Sequence, residues 1–142
     1  MKSKFKIILI LVPIVIIVLN FTGVVNLFVN VETQFDNAET KKSSKNHLKI
    51  YFMSGFKNNV LVYFDGKFAS KTFIVENSSA GYSNFYLDCE FKNRNKKRLV
   101  IVMDSYKKLD VIIDCKYDYL YIHNSKSLKW NLLYSNTLYT GE

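Results

Sequence analysis

The stretch VLVYFDGKFASKTFIV, from Val60 to Val75, decides the fold. Two runs of β-branched and aromatic residues flank Asp65-Gly66. Asp-Gly between such runs is the pair that a two-residue type I′ turn demands, because both central positions need positive φ. The turn pairs Phe64 with Lys67, Tyr63 with Phe68 and Val62 with Ala69, which predicts an antiparallel hairpin of defined register.

Working outward, similar runs of Tyr, Phe, Val and Ile continue on both sides, separated by Asn, Gly, Ser and Lys clusters. Upstream lies His47–Met53, with Leu48, Ile50 and Phe52 on one face. Downstream come Tyr82–Phe91, Leu99–Asp104, Leu109–Cys115, Tyr119–His123 and Leu128–Tyr134. In Tyr82–Phe91 the residues Phe85, Leu87, Cys89 and Phe91 alternate with Tyr86, Asp88 and Glu90, the period of a half-buried strand. With the hairpin arms this makes eight predicted strands in 47–142, where 18 of the 22 aromatic residues fall. No internal repeat and no amphipathic helix of ten residues interrupts them. Such strands bury their apolar faces most simply as an all-β, antiparallel two-sheet sandwich, with a small barrel as the alternative. The hairpin, a strand ending in Asp-Gly-Lys and returning as another, resembles small immunoglobulin-like and transthyretin-like modules of exported bacterial proteins. The resemblance covers that hairpin and the strand count; it implies a fold and no activity.

The amino terminus is different in kind. Between Ile7 and Val31, 19 of 25 residues are apolar. Lys2, Lys4 and Lys6 precede Ile7–Leu19, a run without a polar side chain, in the form of an export signal. Ile7–Val29 is 23 residues, ~34 Å of helix at ~1.5 Å per residue, enough to cross a hydrocarbon core of ~30 Å. No A-x-A-like pair lies in Asn20–Val29, so residues 1–31 read as an uncleaved signal-anchor, a single transmembrane helix, with a cleaved, secreted form as the alternative. The lysines precede the segment, and the first charges after it are Glu32, Asp36 and Glu39. The positive-inside rule then keeps the amino terminus in the cytoplasm and exports the rest. Residues 32–46, ETQFDNAETKKSSKN, read as a polar linker, and 47–142 as the extracytoplasmic domain. Of the net charge of +8, three positive charges stay inside and +5 is exported.

Candidate chemistry is sparse. Cys89 and Cys115 lie on apolar strand faces and after export meet an oxidising compartment. If the strands of Cys89, Val100 and Val111 form one meander, the cysteines stand ~9.6 Å apart, beyond the ~7 Å Cα separation that a disulfide allows. If the chain crosses between sheets, they meet across the core. A disulfide and two buried thiols therefore both stay open. An anchor followed by an all-β domain is also the plan of sortase transpeptidases, with Cys115 or Cys89, His47 or His123, and Arg94 or Arg98 as ingredients. The Thr-Leu-x-Thr-Cys strand of that family is replaced here by Val111-Ile112-Ile113-Asp114-Cys115. Asp110, Asp114 and Asp118 form no calcium loop, and the two His and two Cys have no metal-ligand spacing, so no cofactor is expected.

The cluster Lys92, Arg94, Lys96, Lys97 and Arg98 puts five positive charges in seven residues, at an expected hairpin tip. It fits contact with an anionic surface such as phospholipid, lipopolysaccharide or teichoic acid, or simply a solvated turn that blunts a sheet edge. Export excludes nucleic acid as its partner. Asn77-Ser78-Ser79 is an acceptor sequon, of consequence only where the host glycosylates exported chains. Tyr117, Tyr119 and Tyr121 share one strand face, either a ligand face for sugar or protein or a face that completes the core. The expectation is a module of the cytoplasmic membrane, anchored through Ile7–Val29, that binds or assembles with a protein or an anionic envelope polymer without catalysis. A small exported enzyme of unrecognised type is the alternative.

Overall fold

The computed structural model describes residues 29–36, 46–77, 79, 81–104, 108–125 and 129–139. The expected anchor, apart from its last residues Val29 to Val31, and residues 37–45 of the expected linker lie outside them. Every regular element among the described residues is a strand: β1 (Asn30–Phe35), β2 (His47–Phe52), β3 (Lys57–Phe64), β4 (Lys67–Asn77), β5 (Tyr82–Ser83), β6 (Tyr86–Glu90), β7 (Lys97–Met103), β8 (Lys108–Ile113), β9 (Tyr119–Asn124) and β10 (Lys129–Ser135). They form two five-stranded sheets, ordered β1-β10-β9-β2-β6 and β5-β4-β3-β7-β8. The all-β, two-sheet expectation holds, with each sheet ending in edge strands rather than closing on the other.

One apolar core joins the sheets. Leu48, Ile50, Leu120, Ile122 and Trp130 of the first pack with Val60, Val62, Ile74, Leu99, Ile101, Leu109 and Ile113 of the second, all fully buried. The period-two alternation of β2 and β7 supplies this directly, every second side chain being buried.

Three features depart from the expected plan. First, residues 32–35, assigned by composition to the linker, belong to β1, which pairs in parallel with β10. Val31, and Val29, the last residue of the expected Ile7–Val29 anchor, pack against the core, the half-exposed Phe35 stacks on Tyr134, and Lys129 Nζ lies 2.7 Å from Glu32 Oε2. The polar composition of β1 reflects its position at a sheet edge, where one face and one side meet solvent. Second, the pairing is not wholly antiparallel, since β2 also runs parallel to β9. Third, the run 82–91 is broken. Ser83 Oγ accepts from Phe85 N at 3.2 Å and Asn84 Oδ1 accepts from Val75 N at 3.1 Å. These bonds turn the chain, so β5 joins the second sheet and β6 the first.

The hairpin turn forms as expected, with φ of 51° at Asp65 and 77° at Gly66. Phe64 pairs with Lys67 and Tyr63 with Phe68, but Val62 pairs with Ser70 and not Ala69, because a β-bulge intervenes. The extra residue shifts the alternation of β4 by one position. Ile74 is buried in the core as a result, while Phe73 and Val75 face outward, 50% and 39% exposed.

Candidate functional site

The end of the molecule where β1 and β6 finish and β2 and β7 begin gathers the polar segments. Asp65 N donates to Arg98 O at 2.8 Å, fastening the hairpin turn to β7, and Phe91 N donates to Asn46 O at 3.0 Å. Between these contacts opens a groove of about 840 Å³, lined by His47, Lys67, Glu90, Lys92, Asn93 and Lys97 among others. Phe64 and Phe91 also line it and give it an apolar floor.

The basic segment is not a hairpin tip. β6 and β7 lie in opposite sheets, so residues 91–96 bridge the two layers. Its charges are also partly spent inside the domain. Arg98 grips Asp110 through Nε to Oδ1 and Nη2 to Oδ2, each 2.7 Å, and this pair of bonds holds the Asp110 carboxyl below the usual carboxylate range. Lys97 Nζ reaches Asp65 Oδ2 at 3.0 Å. Arg94 Nη2 stands 3.7 Å from Asp118 Oδ1, and its Nη1 donates to Lys116 O at 3.0 Å. Lys92 and Lys96, by contrast, have no ion-pair partner among the described residues, nor has Lys67. The groove therefore presents Lys67 and Lys92 as cations without an ion-pair partner among the described residues, with the equally unpaired carboxylate of Glu90 beside them. Lys67, Asn46 and Asn93 were missed in the linear reading because their proximity depends on the β6–β7 crossover.

The cysteines fall on opposite sides of the core. Cys89 is in β6 of the first sheet and Cys115 follows β8 of the second; both are buried free thiols. Burial pushes the Cys89 thiol up to about 12 and Cys115 up to about 11, the opposite of what a thiolate nucleophile needs. Among the described residues no hydrogen bond joins either cysteine to a histidine. His47 Nδ1 lies 3.6 Å from Asp88 Oδ1, and His123 Nδ1 lies 2.9 Å from Ser54 Oγ. Asp110, Asp114 and Asp118 serve separately, on Arg98, on Lys116 N and beside Arg94. No group of three or more His, Cys, Asp or Glu among the described residues is placed to hold a metal.

The structure divides the tyrosines. Tyr117 packs at the sheet edge, its ring 5.7 Å from Phe35 and 5.3 Å from Tyr134. Tyr119 and Tyr121 instead join Tyr51 and Tyr86 on the outer face of the first sheet, with Tyr51 stacked 5.4 Å from both Tyr86 and Tyr121. The chain after β10 folds over Tyr121: Tyr139 N donates to its hydroxyl at 2.9 Å and the hydroxyl donates to Thr137 O at 3.3 Å. Tyr121 is 2% exposed in consequence. Tyr86 at the end of the row remains half exposed while Tyr121 is covered. The outward positions of Tyr51 and Tyr86 were legible from alternation; their alignment with Tyr121 required the parallel β2–β9 pairing.

Comparison with known protein families, curated proteins and solved structures returns no significant match, so the site is read from its own geometry.

Proposed function

We propose that this chain is a membrane-anchored, extracytoplasmic β-sandwich module that binds an anionic envelope polymer through the groove between the hairpin turn and the basic segment, without catalysis. The observation that carries the reading is the placement of Lys67 and Lys92, without an ion-pair partner among the described residues, in a groove at the end opposite the one where the chain enters the domain. The apolar segment Ile7–Val29 abuts β1, which starts at Asn30. An anchor there holds the Asn30 end of the sandwich toward the bilayer. The six residues of β1 extend ~20 Å at ~3.3 Å each, so the groove stands beyond the ~8 Å over which charge acts at physiological ionic strength. That distance favours a wall or surface polymer over the lipid head groups of the anchoring membrane.

Within the sandwich class we favour the transthyretin-like alternative. An immunoglobulin-type sandwich places its first two strands side by side in one sheet, whereas β2 and β3 lie in opposite sheets and β1 is an added edge.

The test uses the full chain in neutral phosphatidylcholine nanodiscs with inorganic polyphosphate as the probe. Lys67→Glu with Lys92→Glu weakens binding by about tenfold or more, equivalent to ~1.4 kcal/mol. Equal binding by the wild type and the double variant, or none by either, overturns the proposal. An alkaline phosphatase fusion after Glu142 checks topology, and activity of only a cytoplasmic reporter there overturns the outward orientation.

A further inference from the structure

We propose that the outer face of the first sheet carries a second site, a pocket for one neutral sugar ring. The pocket lies beside the end of β9, with a volume of about 270 Å³. That is just under the ~300–1,000 Å³ of pockets for drug-sized ligands, a size for a single ring. Its walls include Gln34, Ser54, His123, Asn124, Asn131 and Leu133, and among the described residues no Asp, Glu, Lys or Arg lines it. A charged ligand would lose hydration there without meeting a counter-charge, which selects for a neutral one. Burial lowers the His123 pKa, so the imidazole belongs to this uncharged lining at neutral pH.

The site is built rather than incidental. Ser54 Oγ and His123 Nδ1 are hydrogen-bonded at 2.9 Å, and Asn124 N donates to Ser54 O at 3.0 Å. Asn124 Nδ2 donates to Gly55 O at 3.1 Å, and Gly55 N donates to Glu76 Oε2 at 2.8 Å. Asn131 Oδ1 has no hydrogen-bond partner among the described residues, whereas the 5% exposed Asn124 turns its amide inward, with Nδ2 3.5 Å from Met103 Sδ. A buried acceptor left alone is costly, and a hydroxyl group is the donor it lacks. Leu133 gives the C–H face of a ring an apolar wall. It pairs across the ladder with Tyr121, whose ring is covered by the chain after β10, so the pocket ends there and holds a single ring.

Beside the Ser54–His123 pair the nearest described backbone N–H groups are already taken. An acyl transfer needs free N–H groups for its oxyanion. Those at Gly55, Asn124 and Ser125 are bonded to Glu76, Ser54 O and Lys129 O.

Saturation-transfer NMR on the full chain in a sugar-free detergent tests the pocket with glucose, galactose, mannose and N-acetylglucosamine at ~10 mM, above the ~1 mM affinity typical of so small a ligand. At least one shows transfer, and its 6-phosphate, carrying charge, binds about tenfold more weakly. Asn131→Leu, which fills the pocket and removes an acceptor, abolishes transfer while the melting of Trp130 fluorescence stays cooperative. Lys67→Glu with Lys92→Glu leaves transfer unchanged, which separates this pocket from the polyanion groove. No transfer from any of the four sugars, equal binding of the 6-phosphate, unchanged binding by Asn131→Leu, or loss of binding in the lysine variant overturns the proposal.

Discussion

Replacing Gly55 with alanine tests the close approach that locks β2–β3 against β9. Gly55 has φ of 86°, a region that costs an L-residue ~1–2 kcal/mol. Gly66 makes the same conformational demand at φ 77°, but a Cβ there meets nothing within 4 Å. At Gly55 a Cβ would overlap the Asn124 carbonyl oxygen and come within 2.7 Å of its carbon. These are backbone atoms at the end of a strand paired to β10 and cannot rotate aside. Relief has to move the turn, losing the bonds Asn124 N to Ser54 O, Asn124 Nδ2 to Gly55 O and Gly55 N to Glu76 Oε2. At ~1 kcal/mol for each bond added to the conformational cost, Gly55→Ala loses ~4–5 kcal/mol and Gly66→Ala only ~1–2. Folded domains hold ~5–15 kcal/mol in reserve, so the first variant is close to unfolding and the second is not. Urea unfolding followed by the single, buried Trp130 measures both. Stabilities of the two variants within ~0.5 kcal/mol of each other, the error of such comparisons, would refute the reasoning.

The remaining predictions concern buried polar groups. With Cys89 at about 12 and Cys115 at about 11, iodoacetamide at pH 8 leaves both thiols of the native chain unmodified and labels both in urea; stoichiometric labelling of native protein would contradict their burial. The same groups tie stability to alkaline pH. In the unfolded chain they ionise near 9.0, while in the fold they stay protonated to about 11 and 12. Their contribution is complete below pH 9 and is lost as pH rises toward 12. Urea midpoints measured from pH 7 upward should fall from pH 9, and a flat profile counts against it. His123, with its pKa lowered by burial, works the other way: its contribution is present above its ordinary 6.5 and is lost as pH falls below it. Trp130→Phe is milder than an ordinary aromatic truncation. Trp130 Nε1 is buried without a partner among the described residues, and removing it relieves a penalty of ~1–3 kcal/mol that offsets the smaller ring. A net loss under ~1.5 kcal/mol by urea unfolding is expected, and one above ~3 kcal/mol would mean that the N–H is satisfied.

What the sequence revealed, and what it hid, follows from the range of each interaction. The Asp65-Gly66 turn was legible because its conformational demand lies within two residues. The bulge two residues further along β4 was not. Counting outward from the turn buries Lys71 and Phe73, whereas the folded chain buries Ile74. The choice is made by the facing layer, through the fit of Val60, Val62 and Ile74 against the first sheet. The edge strand β1 escaped for a related reason. Asn30, Glu32 and Gln34 face away from the core, so its alternation reads as polar linker until β10 supplies the pairing partner. The alternation of residues 82–91 marks Phe85, Leu87, Cys89 and Phe91, all of which lie in or against the core, but the break within the run rests on a Ser83–Phe85 turn that composition does not mark.

A run of like charges is a poor guide to a site because its neutralising partners are remote in sequence. Lys97 finds Asp65 at a separation of 32 residues and Arg98 finds Asp110 at 12. These cations therefore act as fasteners. Lys97 pins the hairpin turn to β7, and Arg98 joins β7 to β8 beside the Arg98–Ile112 register pair. What remains for a ligand is set by subtraction, and it draws Lys92 from the run and Lys67 from the other side of the turn. Glu90 and Asp65 also line the groove, so its attraction for an anion is local to those two ammonium groups and does not spread over the whole end of the domain. A polymer with spaced anionic groups matches that pattern better than a continuous charged surface. Lys96 lines a separate hollow beside Val31, Phe35 and Ile112, so Lys96→Glu should leave polyphosphate binding nearly unchanged where Lys92→Glu weakens it. Equal weakening by the two substitutions would mean that the net charge of the loop, and not the groove, attracts the polymer.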